Sequence, residues 1–149
     1  MSAVTYSNPD VQKMMANFFV PAKVEGRSEP KIAQLFNVIA TPTFVALDHS
    51  LKFHHRISGF FPPEAFVQRL RFLRAIMDLN NRNYDEAIDL LSTVVQETFE
   101  EEITPEALYQ LGVARYKKTG NFADAVHEWR KIQIQFPKSI WLKKVEYAL

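Results

Sequence analysis

The chain has 149 residues, of which 47% are apolar, and its 18 basic and 17 acidic side chains leave a net charge of +1. This composition predicts a folded globular protein, and the balanced charge gives no reason to expect nucleic acid as a partner. The absence of cysteine excludes disulfides, cysteine-ligated metals and thiol catalysis within this chain, and we expect no cofactor. No apolar run approaches the ~20 residues of a membrane span, and no signal peptide is visible, so we expect a cytoplasmic protein.

Two short helices and an extended segment are predicted before residue 40. Ser7 or Asn8 can cap a helix that begins at Pro9. Phe19–Val24 is predicted as a strand at an edge or irregular position, because the proline within it cannot donate to a central ladder. Pro30 begins a second helix. Its apolar side is formed by Ile32, Leu35 and Phe36.

A proline corner then leads into a predicted β-hairpin. Pro42 lacks an N–H group and can open a strand, and its bond with Thr41 is a candidate cis peptide. The apolar run Thr43–Leu47 reads as a buried strand. The alternating run Phe53–Ser58 follows after a turn, so we expect the two strands to pair antiparallel, and Gly59 ends the hairpin.

This part of the chain resembles the C-terminal half of a thioredoxin-fold protein, over roughly residues 1–74. In that family the Thr-Pro bond is cis and faces the redox dithiol, and the residue before the proline offers its backbone to an extended substrate. Both cysteines and the β-α-β unit that precedes them are absent here. The resemblance implies a partner-binding corner formed by Ala40, Thr41, Pro42, Gly59 and Phe60.

From Pro63 to the end of the sequence, apolar residues recur at the spacing typical of amphipathic helices. A long amphipathic helix ends near Asn80, and a pentapeptide of Asn, an aromatic residue, any residue, an acid and Ala then occurs twice. The copies are residues 83–87 and 121–125, about 38 residues apart at turns between helices.

The repeated pattern resembles the tetratricopeptide repeat, in which small residues lie where two paired helices cross. Ala87 and Ala125 match the small position, Trp129 the large position after it and Pro137 the terminating one. The second copy, about 105–138, matches well, with one extra residue between its two glycines. The first copy has Ala75 in place of the early glycine and Phe99 in place of the usual proline.

The predicted fold is therefore an incomplete thioredoxin-like α/β unit at 1–74, followed by an all-α region of tetratricopeptide type at 75–149. The helix of about residues 63–80 is shared by both. In the thioredoxin fold a central strand lies between the strands that correspond to Phe19–Val24 and Thr43–Leu47, and that strand is missing. Three outcomes follow: the flanking strands close into a small mixed sheet, a second copy fills the gap in a homodimer, or the chain is part of a longer protein.

The resemblance to tetratricopeptide repeats also implies a groove, because the first helix of each pair lines the concave face. The matching positions of the second repeat are Tyr109, Val113 and Tyr116, together with Glu106. An aromatic groove of this kind suits a helix or an extended peptide. The alternative is that these aromatic residues fill the core between the helices.

His54 and His55 point to opposite faces of a strand, so we expect no metal site.

These observations predict a non-catalytic protein-interaction module that binds a peptide or protein partner. An alternative is the C-terminal portion of a thiol-disulfide oxidoreductase, with a role in redox homeostasis and its dithiol upstream of this chain. A third possibility is a scaffold that associates with itself through the vacant sheet position.

Overall fold

The computed structural model describes residues 4–149 and is mostly helical, with one small sheet of two strands. The chain divides into two compact units, one ending at Leu73 and the other running Arg74–Leu149. The helices are α1 Pro9–Phe18, α2 Pro30–Leu35, α3 Pro63–Asn80, α4 Tyr84–Glu97, α5 Thr104–Thr119, α6 Phe122–Gln135 and α7 Ile140–Val145, and a short 3₁₀ turn follows at Glu146–Ala148. The strands are β1 Thr43–Leu47 and β2 Phe53–Ser58. No helix within residues 4–149 has the length and apolar character needed to cross a membrane.

The first helix begins as its sequence predicts. Asn8 is the cap residue, and its side-chain oxygen accepts hydrogen bonds from the backbone N–H of Asp10 at 2.9 Å and of Val11 at 3.3 Å. Pro9 occupies the first helical position, where a missing N–H costs nothing. Val11 is fully buried and anchors α1 in the first unit.

The predicted strand Phe19–Val24 is not formed. This segment has no regular structure, and the side chain of Val20 is 98% exposed. A strand is stable only where a neighbouring strand satisfies its backbone groups, and the sheet described within residues 4–149 contains only β1 and β2. Of the three outcomes considered for the missing central strand, closure of the flanking strands into a mixed sheet is therefore not observed.

Helix α2 begins at Pro30 as predicted, but its apolar side is only partly packed. Leu35 is 74% exposed and Ile32 is 38% exposed. Phe36 alone of the predicted apolar residues is partly buried, with its ring stacked on that of Phe53 at 6.4 Å. Helical spacing of apolar residues thus predicted the helix correctly and its burial incorrectly.

The hairpin has the predicted bounds, and its strands pair antiparallel, with Thr43 opposite Ser58 and Val45 opposite Arg56. Asp48 builds the turn, because its Oδ1 accepts hydrogen bonds from the backbone N–H of Ser50 at 2.9 Å and of Lys52 at 3.0 Å. The hydrogen bond from the Ser50 hydroxyl and that with His54 hold the pKa of Asp48 well below its ordinary value. The turn is therefore built around a carboxylate.

Aromatic side chains form the core of the first unit. Phe66 on α3 is fully buried, and its ring lies 4.7 Å from that of Phe44, 6.1 Å from that of Tyr6 and 6.3 Å from that of Phe61. Phe60, the neighbour of Phe61, is 72% exposed. One phenylalanine of this pair therefore belongs to the core and the other to the surface.

The second unit is a set of helical hairpins in which α5 packs against α4 and α6, and α7 packs against α5 and α6. Gly120 closes α5 with φ +74°, a conformation that favours glycine, and its N–H donates to the carbonyl of Tyr116 at 2.7 Å. Asn121 then caps α6 through a hydrogen bond from the N–H of Ala123. Two residues between the helices suffice to reverse the chain.

Candidate functional site

The crossing of α5 and α6 depends on the absence of a side chain at Gly112. A Cβ atom placed there would lie 2.5 Å from Nε1 of Trp129 and 3.0 Å from the carbonyl oxygen of Ala125. Trp129 is 5% exposed, and its Nε1 donates a hydrogen bond to the carbonyl of Tyr109 at 3.1 Å. Glycine on α5, alanine on α6 and the indole between the helices therefore fix how closely the two helices approach.

A row of stacked rings continues from this crossing, and we call it the aromatic row. Tyr109 lies between two tryptophans, 5.8 Å from Trp129 and 5.0 Å from Trp141. Phe122 contacts Trp129 edge-on at 5.6 Å and Tyr116 edge-on at 5.8 Å. The row joins α5, α6 and α7 within the second unit. The same set of rings therefore packs the helices together and contributes to their exposed surface.

The three predicted groove residues have different surroundings. Tyr109 and Val113 are partly buried and pack against the cluster of Leu108, Trp129 and neighbouring apolar residues. Tyr116 is 42% exposed. Two of the three positions thus contribute to the core between the helices, and Tyr116 keeps an open face beside Phe122, which is 45% exposed.

The matching positions of the first predicted repeat are buried. Arg69 places its guanidinium carbon 4.1 Å from the centre of the Phe61 ring, and Phe72 contacts His55 edge-on at 5.4 Å. The exposed fractions of the four residues are between 1% and 7%, and the residues are Arg69, Phe72, Ile76 and Leu79. None of them offers an open surface to a ligand.

Glu106 lies in the first turn of α5 and is partly buried. Burial raises its pKa to about 7, and the charge of Lys144 partly opposes that shift. The Lys144 ammonium lies 3.7 Å from the centre of the Trp141 ring. Ionisation of Glu106 near neutral pH therefore takes place beside the aromatic row.

Replacement of Glu106 by Gln is expected to make the protein more stable at pH 8 and to leave its stability at pH 5 nearly unchanged. A carboxyl whose pKa is higher in the folded state stabilises the fold fully only below its unfolded pKa of about 4.5, and the contribution is lost as pH rises through about 7. Urea unfolding of both proteins at pH 5 and pH 8, followed by far-UV circular dichroism, measures the difference. Equal differences between the two proteins at both pH values would contradict the assignment.

The proline corner brings together most of the residues predicted for it. The Thr41-Pro42 bond is cis, and the N–H of Gly59, at φ +126°, donates to the carbonyl of Pro42 at 2.9 Å. The Thr43 hydroxyl donates to the carbonyl of Ala40 at 2.6 Å. The corner is therefore tied by hydrogen bonds. Its exposed residues are Ala40, Thr41 and Phe60.

The two histidines of β2 lie in different surroundings. His54 is buried, with its Nε2 3.0 Å from Oδ2 of Asp48, whereas His55 is partly buried against Phe72. Burial lowers the pKa of His55, with a smaller contribution from the charge of Arg56. No group of three histidine or acidic side chains suited to a metal ion occurs within residues 4–149.

One polar site was not predicted from the sequence. Glu128 on α6 is 2% exposed and lies between two cations, Arg115 of α5 and Lys131 of α6. The spacing of Glu128 and Lys131 is typical of a solvated helix surface, so the burial of Glu128 could not be predicted from it. A weak indication in the sequence is the position of Arg115, three residues after Gly112 at the helix crossing.

Comparison with known proteins matches one part of the chain. The family model for the tetratricopeptide repeat matches residues 106–139, which contain most of α5, all of α6 and the turn between them. The second predicted copy of the repeat is therefore supported, and no comparison shows a thioredoxin-like fold. No curated protein and no solved structure matches the chain.

Proposed function

We propose that this protein is a non-catalytic interaction module, in which helices of tetratricopeptide type bind a peptide segment of a protein partner. The observation that carries the proposal is the helical hairpin α5–α6, with its glycine and tryptophan at the crossing and its match to the repeat family. Tetratricopeptide repeats generally mediate interactions between proteins. The match therefore supports protein binding as the general function.

The open end of the aromatic row is the surface that supports the proposal in detail. Tyr116 and Phe122 expose nearly half of each side chain and hold each other edge-on. Aromatic residues on a rigid support supply much of the binding energy in protein interfaces, because they bury a large area at a small cost in conformational entropy. Members of the family that hold a partner's terminal carboxylate use an Asn where Val113 stands, so a carboxylate ligand is disfavoured in this groove.

A display library of random peptides, selected on the immobilised full chain, tests this function. We expect selected peptides to be rich in apolar residues and to lose at least ~10-fold in affinity, roughly 1.4 kcal/mol, when Tyr116 and Phe122 are both replaced by Ala. Tyr147→Ala is the matched control, since Tyr147 is 80% exposed and lies outside the aromatic row. Peptides that bind the double variant as well as the original chain would refute the assignment of this surface.

The likeness of the first unit to a thioredoxin-type domain, with its boundary near residue 74, remains a prediction. What supports it is local: the cis Thr41-Pro42 bond, the hairpin after it and Gly59 at the end of β2. Ala40 and Thr41 are exposed at the corner, which suits contact with an extended peptide. The thiol-disulfide alternative has no support, because any reactive sulfur has to come from outside this chain.

Self-association through the sheet is a second proposal, and the two-stranded hairpin favours it. Each strand pairs on one side only within the described residues, and the segment at 19–24, which has no regular structure, carries exposed Val20 and Val24. An exposed apolar segment without a partner strand can pair with the open sheet edge of a second copy of the chain. We expect sedimentation equilibrium to detect a dimer that weakens when both valines are replaced by Lys. A monomer at every concentration up to 1 mM, on the order of the weakest useful affinities, would refute it.

A further inference from the structure

A polar cleft of about 430 Å³ lies among α4, α5 and α6 in the second unit. Cationic side chains from two helices line it, namely Arg115, Lys118 and Lys131, and His127 is exposed at the same cleft. The buried carboxylate of Glu128 also lies in its wall. The charged side chains of the cleft thus come from neighbouring helices and meet at one place, unlike those on the solvated surface of a single helix.

The negative charge of Glu128 is neutralised by the cations beside it. Its Oε2 accepts a hydrogen bond from Nζ of Lys131 at 2.7 Å, and its Oε1 lies 3.1 Å from Nε of Arg115. The second acidic residue of the cleft, Asp124, accepts a hydrogen bond from the hydroxyl of Thr119 at 2.6 Å. Both carboxylates therefore already have partners inside the protein.

Arg115 has more hydrogen-bond donors than partners. Its Nε atom is buried and lies 3.1 Å from Oε1 of Glu128 but makes no hydrogen bond within residues 4–149, and its terminal nitrogens make no hydrogen bond with those residues either. The side chain is 40% exposed and lines the cleft, so its guanidinium can be reached from solvent there. The free edge of a guanidinium presents two parallel N–H groups, which is the geometry that a carboxylate accepts.

A second cation can be recruited at the same place. Lys118 pairs with Asp85 of α4, but both side chains are largely exposed, and an exposed ion pair contributes little free energy. The Lys118 ammonium can therefore turn toward an anion in the cleft at small cost.

The cleft and the aromatic row lie on different sides of α5. With 3.6 residues per turn, Arg115 and Lys118 lie about half a turn around the helix from Val113 and Tyr116. A ligand in the cleft therefore does not need the aromatic row, and a substitution can abolish binding at one of the two surfaces without affecting the other.

We propose that this cleft binds a carboxylate oxyanion, supplied by an acidic side chain of a protein partner. Arg115 holds it through its free edge, and Lys118 and Lys131 add charge from either side. Binding of this kind weakens as ionic strength rises, because the cations are partly exposed. It gives the second unit a surface for an acidic segment in addition to its aromatic one.

Titration of the ¹⁵N-labelled full chain with capped tetraglutamate, followed by amide chemical shifts, tests the proposal. We expect saturable shifts of Lys118, Thr119 and His127, with capped tetraglutamine causing none. Arg115→Gln combined with Glu128→Gln removes the guanidinium and the buried charge together, so that the fold is kept, and should abolish these shifts. Lys138→Gln, on an exposed lysine outside the cleft, should leave them unchanged.

Two further arms separate the possible outcomes. Tyr116→Ala should leave the tetraglutamate shifts intact, so failure of the groove does not count against the cleft. Inorganic phosphate is the other arm, and shifts with phosphate but none with tetraglutamate would overturn the assignment to a peptide carboxylate. Shifts that survive in the Arg115 and Glu128 double variant, or that are spread evenly over all surface lysines, would overturn the site itself.

Discussion

Replacement of Trp129 by Ala should lower the free energy of unfolding by about 3–5 kcal/mol, the range found when a buried aromatic side chain is removed. The indole is 5% exposed, contacts Tyr109 and Phe122, and fills the space above Gly112 at the helix crossing. Its loss also leaves the carbonyl of Tyr109 without the indole N–H that it accepts. Urea unfolding followed by far-UV circular dichroism measures the change.

A double-mutant cycle with Gly112 makes this prediction specific. In the original chain Gly112→Ala should cost roughly 1–3 kcal/mol, since the new methyl group would meet the indole at 2.5 Å. In the Trp129→Ala background the ring is gone, and the same methyl group should cost much less. Equal costs in both backgrounds would mean that the contact does not set the separation of α5 and α6.

Replacement of Phe66 by Ala should destabilise the first unit by about 3–5 kcal/mol. Phe66 is fully buried and is the residue on which the rings of Tyr6, Phe44 and Phe61 meet. The cavity left behind is bordered by rings from three separate parts of the unit, and none of them can close it alone. Native-state hydrogen exchange of the amides of β1 and β2 reports this unit directly.

Phe60 is the matched control for that experiment. It is a phenylalanine six residues away in the same unit, but it is 72% exposed. Phe60→Ala is therefore expected to change stability by no more than about 0.5 kcal/mol. Similar exchange rates in the two variants would show that the aromatic cluster around residue 66 does not hold the first unit together.

The sequence predicted those elements of the fold that depend on neighbouring residues. Asn8 and Pro9 specify the start of α1, and the run after Pro42 specifies a strand whose partner lies only a short turn away. Phe19–Val24 carries the same apolar signal, but a strand also needs a neighbour that satisfies its N–H and C=O groups. That requirement is set by the rest of the sheet and is invisible in the segment itself.

The same distinction separates what was and was not predictable at the candidate sites. Gly112 and Trp129 belong to a repeat whose spacing is readable in the sequence, so the helix crossing could be anticipated. The burial of Glu128 could not, because it depends on Arg115 of another helix. Tyr109 and Tyr116 occupy equivalent helical positions, but Tyr109 is packed between Trp129 of α6 and Trp141 of α7, whereas Tyr116 remains 42% exposed.

Both tryptophans of this chain, Trp129 and Trp141, lie in the aromatic row, on either side of Tyr109. Tryptophan fluorescence, excited at wavelengths that tyrosine does not absorb, therefore originates in the second unit alone and does not report on the β-hairpin. The centre of the Tyr109 ring lies within 6 Å of both indole rings, so excited Tyr109 transfers its energy to the tryptophans. The efficiency of this transfer therefore reports whether α5, α6 and α7 remain in contact.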